Sequence, residues 1–358
     1  MKAKEEMQHW KVRDGNEKDR EGIFSLRNLV FGDVEKDKLD PRFWDWQIKE
    51  NPDGTGWIYL AEEGGEIIGH LADLPKGFQV QGKAVLGTLT HDMMVHPDYR
   101  RKGISAATAE YAIHRVEREK GLFMTAYSIR EESLNSLLKA GWKEVMRLPI
   151  LVFPIRFHGI VHRYLRVQSL SLLIGGVMRC FYFLLFELRR KRKTEGAAME
   201  RVYEWDETYD LFWERAKSVH PIMGNRSRSY LTWRYLRHPT REYVIYRALQ
   251  KGEMKGYIVL RKVDLLKFNS AVIVDLLALD DHTLSELVET GIEHSRQEGA
   301  DLLGFMVPKT HPYGRSLRRE GFLPSSKAFH FLVYSYRNEP ILFDPRKWYL
   351  TWGDTDVI

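Results

Sequence analysis

Cysteine is almost missing from this chain: Cys180 is the only one. That excludes an intrachain disulfide and a cysteine-built zinc site, and it fits a reducing cytoplasm. The opening residues, Met-Lys-Ala-Lys-Glu-Glu-Met-Gln-His, lack an apolar core, so no secretory signal peptide is expected. Compositional bias is lacking too. With 44% hydrophobic and 29% charged residues the chain has the proportions of a folded globular protein, which sets aside disordered and collagen-like classes. At 358 residues it exceeds one ordinary core and suits two domains.

Acidic residues are scarce in one stretch. Ile155 to Lys193 holds nine Lys and Arg against one acid, Glu187, a net +8 in a chain whose total is +6. The remainder is therefore slightly acidic, unlike a nucleic-acid enzyme with cations spread over a groove. Within this stretch Val167 to Leu188 is strongly apolar around Arg179, and Arg189-Arg190-Lys191-Arg192-Lys193 follows. Its core, Leu170 to Phe186, uncharged apart from Arg179, would be about 25 Å long as a helix, short of the roughly 30 Å of a bilayer core. Three placements fit: a helix packed between domains, a helix on an anionic membrane surface through residues 167–193, or a span. The central arginine and flanking cations suit the interfacial placement.

What is present is organised around Leu89 to Tyr111. Thr88, Met93, Met94 and Val95 lie in a β-compatible run that Pro97 stops. Ile104, Ala107, Thr108, Tyr111 and Ala112 then recur at helical spacing. Between them, Arg100, Arg101, Lys102, Gly103, Ile104 and Ser105 put three cations and a glycine at a helix start, where unpaired N–H groups and the helix dipole favour a phosphate. His91 is expected on the strand face that carries Leu89 and Met93, with Asp92 on the other. Its intrinsic pKa suits a general base; a core histidine with a structural hydrogen bond is the other reading.

Helices are predicted from Asn16 and Asp19 to Gly32 and from Pro41 to Glu50. A hairpin through Glu63-Gly64-Gly65 joins strands Trp57–Glu62 and Glu66–Leu74. Downstream follow a strand at Leu122–Tyr127, a helix at Glu132–Lys139 stopped by Gly141, and a strand pair within Trp142–Phe153. The second half echoes this order. Gly65-Glu66-Ile67-Ile68-Gly69 matches Gly252-Glu253-Met254-Lys255-Gly256, Asp92-Met93-Met94-Val95 matches Asp275-Leu276-Leu277-Ala278, and Leu138 to Trp142 matches Arg318 to Phe322. The colinear order carries this duplication. In the second copy Leu279-Asp280-Asp281-His282-Thr283 replaces the cationic turn, and its carboxylates would cap the helix themselves and repel a phosphate.

Val95-His96-Pro97-Asp98-Tyr99-Arg100-Arg101-Lys102-Gly103-Ile104-Ser105 resembles motif A of the GNAT superfamily of acyl-CoA-dependent N-acyltransferases. The family pattern is Gln or Arg, two residues, Gly, one residue, Gly or Ala; Arg100 and Gly103 match it and Ser105 departs from it. The resemblance covers residues 1–155. It implies a site for acetyl-CoA or another acyl-CoA, with the pyrophosphate on backbone N–H groups from Arg101 to Ala106 and the pantetheine arm added along Met93 to Val95. It also implies that main-chain groups polarise the thioester carbonyl. Family members place a catalytic His or Glu near His91, and many carry a tyrosine where this chain has Leu137; Tyr127, Ser128, Ser136 or a water would have to substitute. Ser229 to Pro239 resembles, less closely than the motif A string, a stretch of GNAT-like proteins encoded for bacterial cell-envelope polysaccharide assembly; helix core and cap before a strand at Tyr243 is the stronger reading of these residues.

The expected fold is α/β, an α+β mixed sheet in two tandem GNAT-like domains with the second degenerate. The layout is 1–155 for the acyl-CoA domain, 156–196 for a basic, apolar helical linker, 197–340 for the degenerate domain and 341–358 for a tail. The expected activity is acyl transfer from acyl-CoA to a primary amine of a small metabolite or cell-envelope sugar, with no metal and no nucleic acid. The alternatives are a non-catalytic CoA-binding or membrane-recruited assembly protein, and an aminoacyltransferase of the cell-wall-bridge type.

Overall fold

A computed structural model describes residues 9–32, 34–165, 167–187, 196–337 and 339–356. The Arg189–Lys193 run lies outside them. The first half opens with strand β1 (Lys11–Asp14) and a turn in which Asn16 and Asp19 form the capping box that starts the Arg20–Phe31 helix. Asp40 caps a short helix at Pro41–Trp44 that runs into a π-turn at Asp45–Lys49. Strands β2 (Trp57–Glu63), β3 (Glu66–Val80) and β4 (Lys83–Val95) form an antiparallel meander, followed by the Ile104–Arg118 helix, β5 (Phe123–Ser128) and the Glu131–Lys139 helix. Both β3 and β4 are longer than the alternation pattern predicts, because their far ends pair with each other down to Val80 and Lys83.

Residues 143–154 correct one expectation. They form one long strand, β6 (Lys143–Pro154), with no hairpin. The remaining strands are β7 (Ala198–Val202), β8 (Ile222–Gly224), β9 (Val244–Gln250), β10 (Glu253–Leu265), β11 (Phe268–Ala278), β12 (Leu302–Met306), β13 (Leu323–Ser335) and β14 (Trp348–Tyr349). All join one sheet in the order β1-β2-β3-β4-β5-β13-β6-β12-β11-β10-β9-β7, with β8 bridging β3 and β14. Thus β13 enters between β5 and β6, while β6 leaves its own neighbours to pair with β12. Each half donates its last strand to the other.

A second reciprocal contact lies off the sheet. Trp46 and Trp233 stack with centroids 4.5 Å apart at 15°, and each indole N–H donates to the other's carbonyl, at 2.9 and 3.0 Å. Trp233 sits in a π-turn, Thr232–Leu236, like that of Trp46. The segment expected as a tail is built into the core: Trp348, Tyr349, Leu350, Trp352 and Asp354 are buried. Arg226, itself buried, holds Asp354 at 2.7 Å and Asp275 of β11 at 3.0 Å, and Lys76 of β3 reaches Asp354 at 3.0 Å. Two cations facing two carboxylates satisfy a cluster that would be costly if either sign were missing.

Candidate active site

The site begins at the turn after β4. A short 3₁₀ turn, Pro97–Tyr99, redirects the chain, and Arg101 (φ 64°) and Gly103 (φ 83°) take left-handed conformations that lead into the helix at Ile104. The backbone N–H groups of Arg101, Lys102, Gly103, Ile104 and Ser105 find no acceptor among the described residues, while Ala106 and Ala107 already donate to Gly103. A compact fan of free donors results, with the helix dipole behind it. Arg100, Arg101 and Lys102 are exposed, and Lys102 lies 4.6 Å over the Tyr99 ring. The helix sits tightly on the sheet because β3 has Gly69 beneath it: a Cβ there would lie 2.5 Å from Ile104 Cγ2.

Beside this turn the sheet splits. Parallel strands β4 and β5 pair only over Thr88–Thr90, so from His91 onward β4 has no partner on that side among the described residues. A β-bulge at Asp92, φ 51°, marks the divergence, with the β3–β4 register slipping between His70 and Ala72. The bulge overturns the expectation that Leu89, His91 and Met93 share a face. Leu89 and Met94 pack with Ile23 and Leu26, whereas Met93 packs on the opposite side with Ala109 and Ile113. Met93 to Val95 and the donor turn thus lie in sequence along one open edge.

The split opens a cleft of about 670 Å³ lined from both halves. Thr90 to Met93 and Ala126 to Arg130 form one wall; Arg241, Arg261, Val263 to Leu266, Phe329 and Asp356 form the other. His91 lines it with its side chain 1% exposed, Nδ1 3.2 Å from Asp92 Oδ2 and 3.9 Å from Asp356 Oδ2. Asp92 is thus the near partner of the ring, and among the described residues neither ring nitrogen meets full hydrogen-bond geometry. Around it stands a buried charge cluster. Arg27 reaches Asp92 at 2.8 Å, and Lys38 reaches Asp92 at 3.2 Å, Asp356 at 2.7 Å and Glu35 at 3.3 Å.

Burial alone would raise the Asp92 carboxyl, but Arg27 and Lys38 outweigh it and hold that group well below the ordinary carboxylate value. Asp356 is lowered in the same way, against burial, chiefly by Lys38. Burial raises Glu35 despite Lys38. Nearby, burial lowers His70 to about 4, and its Nδ1 lies 2.8 Å from the Asp92 carbonyl at the bulge. The neutral ring holds the bulge without adding charge.

Of the residues considered in place of the tyrosine missing at Leu137, only Tyr127 and Ser128 line the cleft, as does Leu137 itself. Ser128 donates its hydroxyl proton to the Arg130 carbonyl at 2.8 Å, and Ser136 is spent on Glu132 along its helix. Tyr127 and a water remain; burial pushes the Tyr127 phenol well above its ordinary value, so it stays protonated. Arg27, Lys38 and Asp356 escaped the sequence reading. Arg27 left a signal, a cation on the apolar stripe of Ile23, Leu26 and Val30; Lys38 and Asp356 left none, since they arrive on a connection and from the far end of the chain.

The corresponding place in the second half is closed. Asp280 caps the Asp281–Gln297 helix, accepting from the Thr283 N–H at 2.7 Å. Beyond the β11–β12 pairing, which ends at Ile273, tyrosine hydroxyls occupy the β11 edge. Tyr349 donates to the Leu276 carbonyl, and Tyr313 contacts both the carbonyl and the N–H of Ala278 at 3.0 Å.

Residues 11–142 match the family model of an acetyltransferase (GNAT) domain. Among solved structures the chain is similar to a GCN5-related N-acetyltransferase from Anabaena variabilis, at 13% identity and TM-score 0.63, covering 92% of this chain and 73% of that one. A Saccharomyces cerevisiae N-myristoyltransferase with bound myristoyl-CoA matches at 12% identity and TM-score 0.63, covering 93% and 84%. A probable N-acyltransferase from Enterococcus faecalis matches at 11% and 0.62, covering 92% and 72%. No curated protein matches the chain by sequence. The chain has the mixed α/β fold of these acyltransferases over nearly its whole described length, and the GNAT match falls on the half that carries the open edge and the donor turn.

Proposed function

We propose that the chain transfers an acyl group, acetyl or longer, from acyl-CoA to a primary amine of a small metabolite or sugar, using one cofactor site per chain. One observation carries this reading: the free donor turn at Arg101–Ser105 continues the unpaired edge of β4 into a cleft that holds His91. The GNAT match to residues 11–142 supports it. The donors suit a pyrophosphate, and Arg100, Arg101 and Lys102 add charge. The strand edge at Met93–Val95 suits the amides of a pantetheine arm. Repeated topology, reciprocal strand exchange and the Trp46–Trp233 pair support a tandem of GNAT-like halves, with Asp280, Tyr313 and Tyr349 standing where the second site would be.

When bound, acyl-CoA supplies a thioester carbon activated for attack. The amine nitrogen bonds to that carbon, the carbon–sulfur bond breaks, and the amine must lose a proton. His91 is the base in this reading, taking the proton through one water or by way of Asp356, because its ring is nearly sealed. Asp92 and Asp356 stabilise the imidazolium that forms, and Lys38 fixes both carboxylates. Tyr127 is the hydrogen-bond donor for the leaving sulfur.

Micromolar acetyl-CoA should raise the melting temperature of the wild type. Gly103→Pro, or Arg100→Glu with Lys102→Glu, should weaken that binding by about tenfold or more. No shift in the wild type removes the cofactor assignment. Thiol release across a panel of amino sugars, polyamines and small amines then tests acyl transfer itself.

A further inference from the structure

The helical hairpin of residues 157–187 has no part in the cleft. Its first helix, Phe157–Leu165, packs on the second, Gln168–Tyr182, which continues as a π-turn over Phe183–Glu187. One side of the second helix is firmly seated. Gly175 lies so close to His158 that a Cβ would meet its backbone nitrogen at 2.7 Å. Tyr182 packs on Phe153 and Phe157 and donates its hydroxyl to the Gly321 carbonyl at 2.8 Å. Ser171, Gly175 and Tyr182 are the buried positions.

The other side faces outward and is apolar. Leu170, Leu173, Val177, Phe181 and Leu184 recur at intervals of three and four, so they form one stripe, and they are 42%, 67%, 64%, 64% and 60% exposed. Of the three placements, a helix wholly enclosed between domains would not leave this stripe bare. Contiguous apolar surface of this kind on a folded chain marks an interaction site.

Gln168–Phe186 has a mean hydropathy of 1.8 and the length to cross a membrane, but the sheet forbids a single crossing. β6, just before the hairpin, pairs with β12 and β13, which follow it. One passage through a bilayer would put paired strands on opposite sides. The helix can meet lipid only in the plane of the interface. Arg163 is exposed on the first helix of the hairpin, and the whole Ile155–Lys193 segment carries a net +8 in its sequence.

We propose that this hairpin is an in-plane docking element for a bilayer bearing anionic headgroups, with the Leu170–Leu184 stripe entering the acyl boundary and the cations meeting the headgroups. The seated face fixes the stripe's direction, so docking needs no rearrangement of the sheet. Apolar insertion and charge attraction act together, as interfacial helices require. The inference stands apart from the acyl-transfer reading.

Co-sedimentation of the full chain with vesicles tests it. Binding is expected to vesicles containing phosphatidylglycerol at low salt, to weaken about tenfold or more at high salt, and to be much poorer with phosphatidylcholine alone. Leu173→Glu, Val177→Glu and Phe181→Glu together should abolish it while leaving acetyl-CoA stabilisation unchanged, because all three positions are exposed and remote from the cleft lining. Equal binding to both vesicle types, or none to either, overturns the proposal. So does a wild-type dimer in light scattering that the triple substitution dissociates, since the stripe would then be covered by a second copy of the chain.

Discussion

Gly69, on the neighbouring strand β3, sets the height of the donor turn above the sheet. In Gly69→Ala the new methyl would stand 2.5 Å from Ile104 Cγ2 and 3.0 Å from Ala61 Cβ. Carbon atoms prefer about 3.5–4.0 Å, so the start of the helix must lift by about 1 Å. Ile104 is fully committed to the core, so the lift is resisted and the variant should lose about 1–3 kcal/mol of stability. The same lift misplaces the N–H fan, and acetyl-CoA affinity should fall by about tenfold although no side chain near the ligand has changed. Ile104→Ala alone should cost about 2–4 kcal/mol by leaving a cavity. In the double variant the new methyl occupies part of that cavity, so the cost should fall short of the sum by about 1 kcal/mol or more, with cofactor affinity partly restored. Denaturant melts of the four proteins, with and without acetyl-CoA, complete the cycle. Additive costs, or unchanged affinity in Gly69→Ala, would refute the claim that close helix–sheet approach positions the turn.

Other substitutions probe neighbouring parts of the argument. His91→Gln should lower turnover about 100-fold with acetyl-CoA affinity retained; full rate would make the residue structural. Burial raises Asp73 to about 6 from 3.8, so the native chain holds an extra proton between those values and this carboxyl lowers stability as pH rises through that window. Asp73→Asn, whose oxygen can still accept from Thr90, should therefore stabilise the chain more at pH 7 than at pH 4, by up to about 3 kcal/mol; equal melting curves at both pH values would contradict the assignment. Trp46→Ala and Trp233→Ala each leave the partner's carbonyl without its indole donor and the partner's ring without its stacked face, and the double variant should cost at least about 1 kcal/mol less than the sum.

The donor turn was legible because its parts are local: a strand stopped by Pro97, a cation run, a glycine and a helix within a dozen residues. The capping of the second helix by Asp280 was legible for the same reason. Long-range choices were not. Alternation in residues 143–154 says that a strand is buried, not which strand lies beside it, so the exchange with residues 323–335 was invisible and a local hairpin was expected instead. The bulge at Asp92 adds one residue to one strand, which leaves the composition untouched while reversing which face Met93 occupies. The Trp46–Trp233 pair was recoverable. Their separation of 187 equals that between Gly65 and Gly252, but the π-turns around them share almost no other residue. Lys38 and Asp356 met only through tertiary folding, and nothing local announces a contact across 318 residues.

The strand exchange also sets a schedule for synthesis. As the chain leaves the ribosome, β5 is complete by Ser128, yet its neighbour on one side is β13, whose pairing runs from His330 to Ser335. Until then the edge of the first half presents unpaired N–H and carbonyl groups to solvent. Local helices can form early, but closing this edge must wait on a contact of very high sequence separation, which is slow to find. The nascent first half therefore spends much of its elongation time as an open template for wrong pairing. A ribosome stalled anywhere between β6 and β13 would release a chain whose donor turn is fully synthesised but whose sheet cannot be sealed.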